Sequence, residues 1–185
     1  MQEHAHVISL LKDARIAARN GDIMKLKQLS DQTIHASAIY QDTDNILVAV
    51  VIYSLSKLIE RRGSYNSKEF NDFFNYYTDT IDFSIKCIKN DKCDLFRKRI
   101  EELTKKTSFA ADIRKSAEAV FKKARINKAS KVYEHGISMQ ATAKLLGVSL
   151  WELAEYTGQT SISDTKYNRT FDVKMRIKRA MEMFR

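Results

Sequence analysis

Residues 137–158 read I-S-M-Q-A-T-A-K-L-L-G-V-S-L-W-E-L-A-E-Y-T-G, and this stretch decides how the chain is read. Ala143, Gly147 four residues on, and Leu153 six further on have the spacing of a helix-turn-helix. Each residue type has a physical reason. Ala143 is small where the second helix crosses. Gly147 ends the first helix in the left-handed conformation that glycine adopts without a Cβ penalty. Leu146, Val148, Leu153 and Tyr156 fall where the two helices share a core. Ser149 followed three residues later by Glu152 is a capping box that starts the second helix.

The rest of the chain agrees with a helical reading. It has 185 residues, 44% of them apolar, no proline, and five glycines, at 21, 63, 136, 147 and 158. Helices need proline and glycine only at their ends, and these glycines sit where helices should stop. The expected fold class is all-α. Three parts are expected: an N-terminal helical bundle over 1–107, a basic helix plus the helix-turn-helix over 108–158, and an extended arm with an amphipathic helix over 159–185.

In chain order, helices are predicted over 3–20 and about 22–40, joined by the turn Asn20-Gly21-Asp22 with Asp22 as cap. This pair resembles one unit of a helical-hairpin array, but no second copy is evident at the period of such arrays. A third helix, 46–62, begins with I-L-V-A-V-V-I-Y, is apolar nearly all round, and is predicted to be buried at the centre. The fourth, about 67–90, carries Phe70, Phe73, Phe74, Tyr77, Ile81, Ile85 and Ile88 at spacings of three and four, the pattern of a core stripe. A shorter helix follows from Asn90-Asp91 to about 106, and a long one from about 108 to 134. The 172–184 segment places Val173, Ile177, Ala180, Met181 and Phe184 on one side.

No catalytic constellation is present: there is no nucleophile elbow, phosphate loop or zinc-type cluster. Cys87 and Cys93 have no His or Cys partners at metal spacing. The expectation is a non-enzymatic chain with no cofactor and no metal. The N-terminus lacks a signal-peptide pattern and no apolar run reaches the ~20 residues of a membrane span, so a cytoplasmic protein without membrane contact is expected.

The net charge of +9 is concentrated. Residues 1–90 are balanced, 91–131 carry +7, and 132–185 carry +2. That is an electrostatic footprint for nucleic acid or an acidic partner. The candidate nucleic-acid contacts are Arg114, Lys115, Lys122, Lys123, Arg125 and Lys128 on the long helix, with Gln140 and Lys144 from the helix-turn-helix. The second helix of that motif argues differently. Its outer side shows Ser149, Leu150, Trp151, Glu152, Ala154 and Glu155, with two acids and no Lys or Arg. Bases are read mostly by Arg, Lys, Asn and Gln, so this surface suits a protein contact better than a DNA groove.

The segment from about 127 to 185 resembles prokaryotic, and most of all archaeal, antitoxins paired with PIN-domain ribonuclease toxins. The matching features are G-I-S at 136–138, L-G-V-S at 146–149, S-L-W-E-L at 149–153, Y-T-G-Q-T at 156–160, and a basic amphipathic C-terminal helix ending near Phe184. The resemblance implies an antitoxin-like binding protein whose C-terminal arm captures the nuclease, with Lys166, Arg169, Phe171, Arg176, Arg179 and Phe184 as contact residues. Cations there would compete for the carboxylate ring of a PIN site. The partners implied are a PIN-domain protein, duplex DNA and a second copy of the chain. A helix-turn-helix transcriptional regulator and a helical scaffold are the alternative readings. The N-terminal bundle lies outside the resemblance.

Overall fold

The computed structural model describes residues 4–40, 43–105, 109 and 111–159, with the side chains of 35–40, 104 and 105 left aside. The protein is all-α. Among the described residues there are eight α-helices: α1 His4–Arg19, α2 Ile23–Tyr40, α3 Thr43–Glu60, α4 Ser67–Lys89, α5 Cys93–Lys105, α6 Ala111–Glu134, α7 Met139–Leu146 and α8 Leu150–Gln159. A single 3-10 turn, Arg62–Ser64, follows α3.

The turn between α1 and α2 follows from its sequence. Gly21 takes φ 68°, and the amides of Gly21 and Asp22 donate back to the carbonyls of Ala18 and Ala17 at 3.1 and 2.8 Å. This is the reciprocal pair that closes a helix through a left-handed residue. The Asp22 carboxylate then accepts from the Lys25 amide at 2.9 Å and caps α2.

The same turn recurs between α4 and α5. Asp91, at φ 55°, takes the left-handed place of the glycine. The amides of Asp91 and Lys92 donate to Ile88 and Cys87 at 3.2 and 2.9 Å. The helix predicted to begin at Asn90-Asp91 therefore begins at Cys93, and those residues form the turn. The equivalence extends through the core at a constant spacing of 70 residues: Leu11 and Ile81, Ala14 and Ser84, Leu26 and Phe96, Val50 and Val120, and Leu58 and Lys128 are all buried. Two three-helix units, α1–α3 and α4–α6, thus share this register of turn and buried positions. Between them, α1 packs on α4 and α3 on α6. This register is a burial pattern, with residue types changed at most positions, and is distinct from the shorter-period copy of the α1–α2 hairpin that the sequence lacks.

Helix α3 is central, packing on α1, α2, α5, α6 and α7. It starts three residues before the predicted 46 because Thr43, Asp44 and Asn45 join it. Asp44 is buried, and its carboxylate accepts a two-pronged bond from the Arg97 guanidinium of α5 at 2.7 and 2.9 Å. One continuous core cluster runs from Val7 to Leu153. It crosses residue 107, so α6 is part of the bundle and α7 and α8 are fastened to it rather than set apart.

Of the aromatic stripe on α4, Phe70, Phe73 and Tyr77 are buried, as a core face requires, and Phe74 is half-buried.

Candidate functional site

Helix α6 ends at Glu134, and Gly136, at φ 89°, turns the chain into α7. The Ser138 hydroxyl caps α7 by accepting from the Ala141 amide at 3.2 Å. Gly147 closes α7 at φ 62°, ψ 36°. Its missing Cβ would meet open space, so the glycine is required by conformation and not by room. Gly147→Ala should therefore cost about 1 kcal/mol, the left-handed penalty of an L-residue. Gly147→Asn should cost less, and chemical denaturation checks both.

The capping box forms as the spacing predicts. The Ser149 hydroxyl accepts from the Glu152 amide at 3.1 Å, and the Glu152 carboxylate accepts from the Ser149 amide and hydroxyl at 3.3 and 2.9 Å. The other Glu152 oxygen meets the Lys122 ammonium of α6 at 2.6 Å. A turn further along α8, the Tyr156 hydroxyl accepts from the Asn127 side-chain amide of α6 at 2.9 Å. Leu153 between them is fully buried. So α8 is held to α6 by an ion pair, a hydrogen bond and an apolar plug.

The Lys122 contact, with the two Ser149 donors, lowers the Glu152 carboxyl to about 2 from its ordinary 4.5. A carboxylate with a depressed folded-state pKa stabilises fully above its unfolded value, and the contribution is lost as pH falls through the folded one. The tie between α8 and α6 should therefore weaken between about pH 4.5 and pH 2. In thermal melts, the stability gap between wild type and Glu152→Gln should close across that interval.

The outer side of α8 is unpartnered among the described residues. Trp151 is 85% exposed and Leu150 48% exposed. Ser149 and Glu155 are exposed too, whereas Ala154 is half-buried and Glu152 is turned to Lys122. No Lys or Arg lies on this helix.

The basic candidates separate into distinct groups. Lys115, Lys123, Arg125, Gln140 and Lys144 are exposed, and Arg114 is half-buried. Arg125 and Lys144 line one groove of about 330 Å³ with Gly147, together with Arg97 and the acids Asp44 and Glu101. Lys122 is exposed but committed to Glu152. Lys128 corrects the sequence reading: it is 0% exposed, and its ammonium meets the Asp31 carboxylate of α2 at 2.8 Å and lies 4.4 Å from the centre of the Tyr53 ring. Burial pushes its pKa down, with the Asp31 bond opposing. It is removed from any nucleic-acid face because the helix periodicity that suggested exposure says nothing about which helix packs opposite.

Lys166, Arg169, Phe171, Arg176, Arg179 and Phe184, the candidate arm contacts, lie outside the described residues. A groove of about 500 Å³, with no signal in the sequence, is walled by Tyr53 of α3 and Arg61 just past its end, Val120 and Ile126 of α6, and Tyr156 and Gln159 of α8. These walls come from segments far apart in the chain, each with an ordinary helical pattern.

Among the described residues no group of three His, Cys, Asp or Glu could hold a metal ion, and no helix is long and apolar enough to cross a membrane. Burial pushes the thiols of Cys87 and Cys93 up, which keeps both protonated at neutral pH. No protein-family model matches the chain, and neither does any curated protein or any solved structure.

Proposed function

We propose that the chain is a non-enzymatic, antitoxin-like binding protein that captures a PIN-domain ribonuclease through residues 160–185, with the helix-turn-helix serving as a protein-docking face. The observation that carries the protein-contact reading is Trp151, 85% exposed on a helix without Lys or Arg. An exposed, rigid aromatic beside Leu150 is the residue type that anchors protein interfaces. Phosphates would meet Glu155 there instead of a cation. The arm assignment comes from sequence: 160–185 carry seven Lys or Arg against three acids, a charge suited to the carboxylate ring of a metal-dependent nuclease.

Co-expression with a PIN-domain protein and affinity capture tests the proposal. Deleting 160–185 should abolish capture, and retained capture rejects the arm. Trp151→Ala should weaken capture about tenfold, the effect of losing one interface anchor.

The second reading, duplex-DNA binding, is favoured by Arg125 and Lys144, which line one groove, and by Lys115 and Lys123, which are exposed on α6. Such contacts would be to phosphates, giving affinity without sequence choice. Affinity should then fall steeply with salt, and neutralising Arg125 and Lys144 together should flatten the slope by about two contacts' worth. No binding at low salt rejects it.

A further inference from the structure

The groove of about 500 Å³ between α3, α6 and α8 is large enough for a ligand or a helix face, and no described segment fills it. Its apolar surface comes from Val120, Ile126 and the rings of Tyr53 and Tyr156. The walls run from Tyr53 to Arg61, Val120 to Asn127 and Glu152 to Gln159. At the rise of an α-helix these are about 10–12 Å each, or two turns. The last described residue of the chain, Gln159, is itself part of the rim, so residue 160 leaves from the mouth of the groove.

We infer that this groove is the seat of residues 172–184 of the same chain. The segment has an apolar stripe at Val173, Ile177, Ala180, Met181 and Phe184, the i, i+3, i+4, i+7 anchors of helix-in-groove docking. Two turns of it match the walls. The connecting residues 160–171 span at most about 40 Å extended and about 20 Å on average, so the groove is within reach. A tether of that length gives an effective concentration on the order of millimolar, so even weak docking keeps the groove filled.

The rim charges set the orientation. Wound as a helix, the segment would carry Lys174, Lys178 and Arg185 along one flank of the stripe and Arg176 with Asp172 along the other. Lys57, Arg61 and Lys123 stand on the α3 and α6 side of the groove with one acid, Glu60, which is paired with Lys27 and Lys57, so that side repels the first flank; on α8, Glu152 is paired with Lys122. Glu155 on α8 accepts only the Gln159 amide, at 3.3 Å, among the described residues, and attracts that flank. Docked this way, the segment is held against the helix that bears Trp151, and any partner that takes the segment must first displace it. The inference goes beyond the antitoxin-like reading and stands without it, since the test below contains no nuclease.

Amide hydrogen exchange on the full chain tests it, with Lys–Lys cross-linking of the monomer. Residues 172–184 should be protected, and Lys123 or Lys57 should cross-link to Lys174 or Lys178. Glu155→Lys, an exposed change, and Ile177→Asp, which leaves the described fold untouched, should each speed exchange of 172–184 by about tenfold or more, with helix content of the bundle unchanged. Free-peptide exchange rates in the wild type overturn the inference. So does protection that neither variant reduces. Cross-links found only between isotopically distinct chains make a second copy the occupant, and a small amphipathic molecule found in the groove displaces the assignment equally.

Discussion

Tyr77→Ala should lower the unfolding free energy by about 4 kcal/mol, the upper range for removing a buried aromatic, and so depress the melting temperature by roughly 10 °C in a chain of this size. The residue is fully buried. Its ring meets Phe73 of its own helix edge-on at 5.9 Å and Phe121 of α6 at 6.2 Å, and its hydroxyl donates to the Val51 carbonyl of α3 at 2.7 Å. One side chain therefore touches α3, α4 and α6, at the join between the two three-helix units. Burial raises its pKa well above the ordinary value, so the hydroxyl remains a donor across the whole working range. Tyr77→Phe separates the two contributions. It keeps the ring contacts and removes one hydrogen bond to a carbonyl in mid-helix, which should cost about 1 kcal/mol. Differential scanning calorimetry of the pair tests both. If Ala and Phe cost the same, the ring is not what holds the units together. Because α8 hangs from α6, the Ala variant should also lose protection in α8 before global unfolding.

The parts of this molecule that the sequence discloses are those whose causes are local. Gly147, Ser149 and Glu152 are read correctly because a left-handed cap and a capping box are settled within five residues. The stripe on α4 is read correctly because core faces repeat at helical spacing. Asp91 shows where local reading stops. The residue that takes the left-handed place of Gly21 in the second unit is an aspartate, so the turn carries no glycine signal and its helix was placed three residues early. The 70-residue repeat is hidden for a related reason: burial is kept at Leu26 and Phe96, or Leu58 and Lys128, while chemistry is not. Asp44 lies before the start predicted for α3 and is the buried partner of Arg97, 53 residues away. The candidate protein face on α8 was legible because Trp151 falls in the first turn of a capped helix, on the side away from Leu153. The groove beside it was not, because its walls come from three helices that no local pattern relates.

Lys128 is where the two kinds of information conflict, and its substitution should be the second large effect. Its equivalent in the first unit is Leu58, also buried, so an ammonium stands where the plan of the fold accepts an aliphatic side chain. Lys128→Ala should cost about 3 kcal/mol, because the lysine stem fills core volume and its loss leaves a cavity. Lys128→Met keeps the stem's volume and removes the charge, and should match or exceed wild-type stability, as replacing a buried ion by a packed apolar side chain commonly does. Asp31→Asn leaves the ammonium buried without its carboxylate. Asp31 is 58% exposed, and water screens it, so the expected cost is about 1–2 kcal/mol rather than the full value of a buried pair. In the Lys128→Met background the same Asp31→Asn change should cost nothing, and that double-mutant cycle isolates the pair. The pH dependence has a fixed sign. A lysine whose folded-state pKa is lowered holds its proton less tightly than in the unfolded chain, so its penalty is present where both states are charged. The penalty is relieved as pH rises from the lowered value towards 10.5. Any advantage of Lys128→Met over wild type should accordingly shrink as pH rises through that window. An advantage that grows instead would mean that the ammonium stabilises the fold, through Asp31 and the Tyr53 ring, by more than its burial costs.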